Sequence, residues 1–126
     1  MASGYLDYAA KAAYAARTMG RFDRAQVHKI IEVLESTPDD KAIEYVEAFI
    51  LRQVANGLIN RTAGRVLVEA LQKIKKEKKK ESKDAAREFL GIFKWLYEAC
   101  EHSRFPRLHV EKISFEDLIR FLAGIK

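Results

Sequence analysis

Apolar residues recur at three- and four-residue intervals along almost the whole chain and nowhere alternate in twos, so the pattern predicts helices and no strands. The densest stretch is Asp40 to Ile74, DKAIEYVEAFILRQVANGLINRTAGRVLVEALQKI. It reads as a central helix, or two helices end to end, that the other segments cover. Between Tyr45 and Ile59, a step of about 100° per residue places Tyr45, Val46, Phe49, Ile50, Leu51, Val54, Leu58 and Ile59 on nearly every side, as in a buried helix. One polar ridge interrupts this pattern: Arg52, Asn56 and Asn60 at i, i+4 and i+8, with Gln53 beside them. An unbroken helix over residues 40–80 would extend about 60 Å, whereas a compact chain of this length has a radius of gyration of roughly 14 Å. A break is therefore expected, with Gly57 and Gly64 its cheapest positions.

The flanking segments also read as helices. Gly4 to Met19 is alanine-rich, with Tyr5, Ala9, Ala12, Ala13, Ala16 and Met19 at helical spacing and small residues that invite close approach by another helix. Asp23 is placed to cap a second helix, Arg24 to Glu35, through Val27, Ile30, Ile31 and Leu34. Ser36 to Asp40 forms a turn and a cap. Val66, Leu67, Ala70, Leu71 and Ile74 close the central segment. A further helix, Ser82 to Cys100, carries more aromatics than one face requires, so Trp95 and Tyr97 are expected at a protein interface beyond the core. Ser114 and Asp117 make a variant capping box opening a last helix through Leu118, Ile119, Phe121, Leu122 and Ile125. The expected fold is all-α, a single compact bundle of about five helices around a long central helix. It spans residues 1–126 as one domain, with 101–113 a connecting arm and 114–126 an additional C-terminal helix.

Composition narrows the class. A chain of 126 residues can bury a core without a disulfide or metal, and its one cysteine, Cys100, points to a reducing cytoplasm. Asp7, Lys11 and Arg17 interrupt any signal-peptide core, and no apolar run approaches membrane-spanning length, so no membrane contact is expected. Abundant Lys and Glu beside scarce Asn, Gln and Cys lean towards a thermophilic source. The net charge of +5 is concentrated in Lys73 to Lys83, which holds seven lysines and two glutamates; elsewhere 16 basic and 16 acidic residues balance. That run reads as a solvated helix end with some attraction for phosphate.

Catalytic constellations are missing: there is no phosphate-cradling glycine loop, no His-Glu-x-x-His and no Cys-x-x-Cys. No enzymatic activity and no cofactor are therefore expected. Cys100, His102 and His109 match no common metal spacing, and His28 is placed to pair with Glu32 one turn on. The Arg52, Asn56, Asn60 ridge and the neighbouring Arg61 and Arg65 suit sugar and phosphate contacts, against the alternatives of an internal polar network or an Arg65–Glu69 salt bridge. Arg17, Arg21, Arg24 and Lys29 form a second, weaker cluster at the first helix junction.

The order of elements is informative: an Ala/Tyr-rich first helix, then Phe22-Asp-Arg-Ala-Gln-Val-His-Lys-Ile-Ile31, a long central segment with Arg52 and Gly64-Arg65, and Ala86-Arg-Glu-Phe-Leu-Gly-Ile-Phe-Lys-Trp-Leu-Tyr97. Over roughly Tyr5 to Cys100 it resembles the small α-helical subunit of type III-A CRISPR effector complexes, the Csm small subunit, or a closely related type III small subunit. The family's second helix usually opens with a Thr/Ser cap and an arginine where this chain has Asp23 and His28, and the segment after Cys100 runs past the usual family end. The resemblance implies a non-catalytic, antiviral-defence subunit that stacks in several copies along guide RNA and target RNA beside other effector subunits. By position it implies backbone contacts from Lys29, Arg52 and Arg65, to which the residue reading adds Asn56, Asn60 and Arg61. Two other classes stay open: a protein-interaction adaptor without nucleic acid, and a helix-turn-helix DNA-binding regulator.

Overall fold

The computed structural model describes residues 2–125 and is all-α. Among the described residues six α-helices follow one another: α1 (Ala2–Thr18), α2 (Arg24–Ser36), α3 (Ala42–Ala55), α4 (Arg61–Lys78), α5 (Ser82–Ala99) and α6 (Phe115–Ala123). Single 3-10 turns lie at Lys79–Glu81 and Val110–Lys112, and the only strand-like pairing among the described residues is an isolated bridge between Phe22 and Ile59. No helix among them is long and apolar enough to cross a membrane.

Local signals account for most of these elements. The stripe Val66, Leu67, Ala70, Leu71, Ile74 is buried along α4, and Phe89, Phe93 and Leu96 are buried along α5. Ser114 caps α6 by accepting from the Asp117 amide at 3.1 Å, and Gly124 ends that helix in the left-handed conformation that glycine tolerates best. Asp23 stands at the N-cap of α2 but makes no side-chain cap bond, its carboxylate facing Arg21 instead.

The central segment differs from its expected form. The chain breaks at residues 56–60, with Gly57 at φ +76°, and α4 turns back antiparallel to α3 rather than continuing it. Two cross-links show the register: Gln72 donates to Glu47 at 2.6 Å, and Lys75 pairs with Glu44 at 2.5 Å. Gly64 is no part of the break. It lies buried in α4, where a Cβ would stand 2.6 Å from Val54 Cγ2, so glycine lets the two arms of the hairpin touch. Nor is α3 covered all round: Tyr45 and Leu51 are 56% and 54% exposed, because its outer side has no neighbouring helix.

The element that is covered all round is α1. Ala9, Ala10, Ala12, Ala13, Ala15 and Ala16 are buried on every side, their short side chains letting α4, α5 and α6 approach together. α4 runs antiparallel to it, from Asn60 beside Ala15 to Glu77 beside Tyr5. The arm and last helix complete the cover. Asp7 accepts from the Phe115 amide at 2.8 Å, Lys11 donates to the Ile113 carbonyl at 2.7 Å, and the Tyr14 hydroxyl donates to the Pro106 carbonyl at 3.0 Å while accepting from the Leu108 amide.

Candidate nucleic-acid interface

The α3–α4 turn docks against the junction of α1 and α2. The Asn60 amide donates to the Arg21 carbonyl at 2.7 Å, its side-chain oxygen caps α4 by accepting from Ala63 N at 2.9 Å, and its Nδ2 donates to the Ala15 carbonyl at 3.1 Å. All of its polar groups are thereby turned inward. The expected ridge of Arg52, Asn56 and Asn60 does not exist as one helical face, because the chain leaves the helix after Ala55 and Asn60 belongs to α4. Asn56 C-caps α3 with its side chain exposed. Gln53 is buried, donating to Gln26 Oε1 at 2.7 Å across the α2–α3 contact, and among the described residues its own Oε1 has no partner.

The cations divide by what they face. Arg65 pairs with Glu69 at 3.1 Å and Glu111 at 2.8 Å, as the salt-bridge alternative has it, so an RNA phosphate there would have to compete with two carboxylates. The hydrogen bond and charge of Arg65 help hold the Glu111 carboxyl below its usual range, behind the larger effect of a backbone hydrogen bond. Lys29, Arg52 and Arg61 are exposed and have no carboxylate partner among the described residues. The Gln26–Gln53 bond joins α2 to α3; Lys29 lies one turn on from Gln26 along α2, and Arg52 precedes Gln53 on α3. Arg61 opens α4 at the same end of the hairpin. The lysine run is ordered as the end of α4, a 3-10 turn and the start of α5. Lys73 pairs with Glu77, Lys75 with Glu44, and Lys83 with Asp39 and the Thr37 carbonyl.

At the first helix junction the structure brings Arg17, Arg21 and Arg24 together around an open recess of about 390 Å³, with Lys29 outside it. Glu101, for which the sequence suggests no role, lies on its wall. Charge pattern alone carries no signal for this contact, since 77 residues separate Glu101 from Arg24.

The aromatic residues of α5 separate into two kinds. Trp95 is 71% exposed, as an interface residue requires. Tyr97 is not: it is 2% exposed, its ring clusters with Phe22 and Phe93, and its hydroxyl donates to the Phe22 carbonyl at 2.6 Å. Burial raises the Tyr97 phenol above its ordinary pKa. It is a core residue because the helical step from Trp95 turns it through about 200° onto the covered side.

Cys100 is buried and its thiol pushed up to about 11 by that burial, whereas His102 and His109 are exposed. Among the described residues no three His, Cys, Asp or Glu side chains converge as metal ligands. His28 and Glu32 are both exposed and do not pair.

Compared with known proteins, the chain matches no protein-family model, no curated protein and no solved structure.

Proposed function

We propose that the protein is a non-catalytic RNA-binding structural subunit of a type III CRISPR ribonucleoprotein effector, stacking in several copies along guide RNA and target RNA. The observation that carries this reading is the exposure of Lys29, Arg52 and Arg61 without carboxylate partners among the described residues, whereas Arg65 and Arg87 each pair with two acids. Unpaired cations on rigid helices suit backbone phosphates, where base pairing within the RNA supplies the specificity. Asn56, exposed between Arg52 and Arg61, adds a neutral donor for sugar or phosphate oxygens. In this reading the protein works in the cytoplasm, takes no cofactor, and meets other effector subunits through Trp95. The order of elements from Tyr5 to Cys100, similar to the Csm small subunit, is the further support.

Binding of single-stranded RNA across a salt series tests the proposal. Replacing Lys29, Arg52 and Arg61 with Ala weakens binding and flattens the slope of log K against log salt by about 0.7 for each phosphate no longer neutralised. Replacing Lys78, Lys79 and Lys80 has the smaller effect. Unchanged binding by the folded Lys29/Arg52/Arg61 variant overturns the assignment.

A second reading, a protein-interaction adaptor, is favoured by the exposure of Trp95 together with Leu108, Phe121 and Ile125. Assembly with neighbouring subunits in the absence of any RNA binding would support it.

A further inference from the structure

Arg17 ends α1, Arg21 lies in the turn and Arg24 opens α2, so they reach one recess only because the chain reverses sharply between the two helices. Gly20 makes that reversal at φ +131°, and a Cβ there would meet Asn60 Cβ at 3.0 Å. The arginines are held in place with few acceptors. Arg17 donates from Nε to the Tyr97 carbonyl at 3.0 Å, and its guanidinium lies over the Tyr97 ring, 3.8 Å from the centroid. These two contacts fix its orientation and leave its terminal nitrogens facing Glu101 at 4.0 Å, too far for a hydrogen bond. Arg24 donates to the same Glu101 oxygen at 2.8 Å. Arg21 reaches Asp23 only at 3.3 and 3.4 Å, with both side chains more than half exposed.

Three guanidinium groups bring about fifteen N–H donors, and the two carboxylates beside them, Glu101 and Asp23, accept from few of these and leave one positive charge uncompensated. A planar carboxylate satisfies one arginine fork. A tetrahedral phosphate presents three oxygens in different directions, which suits forks converging from the end of one helix, a turn and the start of the next. We propose that the recess bounded by Arg17, Arg21, Arg24 and Glu101 binds a phosphate group, which takes the place of the Glu101 carboxylate on Arg24 and Arg17. Glu101 then acts as an internal counter-ion that keeps the arginines paired while the recess is empty and swings into solvent when it fills. This site is separate from Lys29, Arg52 and Arg61 and does not rest on their binding RNA.

Titration of the full chain with inorganic phosphate, against chloride at equal ionic strength, tests it through the side-chain Nε–H resonances of the arginines in ¹H–¹⁵N spectra. The expected result is a saturable shift of Arg17 and Arg24. Arg24→Ala, at an exposed position that does not support the core, weakens it by about tenfold. Glu101→Gln removes the competing carboxylate and tightens binding by about two- to fivefold. No saturable shift by about 10 mM phosphate, tenfold above a millimolar Kd, overturns the proposal. So do equal affinities in the parent, Arg24→Ala and Glu101→Gln chains when circular dichroism shows all three folded, because phosphate then binds elsewhere. Uridine 5′-monophosphate and the dinucleotide UpU identify the source of the group. A response to the monophosphate but not to UpU assigns a terminal phosphate, a response to both a backbone phosphate, and a response to inorganic phosphate alone the free ion.

Discussion

Asn60, the N-cap of α4, reaches the carbonyl of Ala15 in the last turns of α1, its Nδ2 donating at 3.1 Å while its Oδ1 caps the helix that it begins. A short amide read from the sequence as an RNA contact is thus the clasp between the α3–α4 turn and α1. Asn60→Ala is expected to lower stability by about 1–2 kcal/mol through loss of the cap and the cross-helix bond. Asn60→Asp keeps the cap but sets a carboxylate oxygen against the Ala15 and Gly20 carbonyls, so it should not recover the stability lost in Asn60→Ala. Urea unfolding measures both, and a normally stable Asn60→Ala chain with impaired RNA binding would return Asn60 to the interface.

Gly64 makes a test of the hairpin in which propensity and packing have opposite signs. Alanine is favoured over glycine inside a helix by about 1 kcal/mol, yet its Cβ would stand 2.6 Å from Val54 Cγ2 and 3.6 Å from Ile50 Cγ2. Overpacking of this kind costs about 1–3 kcal/mol, so Gly64→Ala should destabilise on balance. Adding Val54→Ala removes the obstructing methyl, and the double variant should be more stable than the sum of the single changes allows. Additive effects would show that α3 and α4 do not touch at this point.

Trp95 and Tyr97 are expected to respond in opposite ways although they are two residues apart. Trp95→Ala should change the free energy of unfolding by no more than about 0.5 kcal/mol and, if the protein works as a subunit, impair assembly with its neighbours. Tyr97→Ala should cost about 3–5 kcal/mol as a core truncation. Tyr97→Phe should cost about 1–2 kcal/mol by removing the donor to the Phe22 carbonyl. Thermal or urea unfolding of the isolated chain separates them.

Cys100 supplies a pH prediction. Its folded pKa is raised to about 11 by burial, so folding favours the neutral thiol. The resulting stability is fully present below the unfolded-state value of about 8.5 and is lost as pH rises from there through about 11. Urea midpoints should therefore decline over that alkaline range in the parent chain more than in Cys100→Ala. At pH 8 a disulfide reagent should label native Cys100 far more slowly than the unfolded chain; equal rates would mean that the thiol is accessible.

The helical class and most helix edges were legible in the order of residues, because they depend on neighbours three and four positions apart. The stripe from Val66 to Ile74, the cap at Ser114 and the break at Gly57 are all local, and each appears where its residues call for it. Which helix lies at the centre is a matter of packing. The stripe through Ala9, Ala12, Ala13 and Ala16 marks one face of α1, but Ala10 and Ala15 off that stripe are buried too, and only the approach of α4, α5 and α6 shows that every side is covered. The apolar circumference of α3 would claim that position, yet α4 folds back beside it and leaves Tyr45 and Leu51 outside. The candidate site divides for the same reason. Exposure of Lys29, Arg52 and Arg61 follows from polar positions on amphipathic helices, whereas the inward roles of Asn60 and Tyr97, the pairing of Arg65 with Glu111 and the meeting of Arg24 with Glu101 depend on partners remote in the chain. Helical periodicity specifies which way a side chain points from its own axis; what waits there is set by how the axes pack.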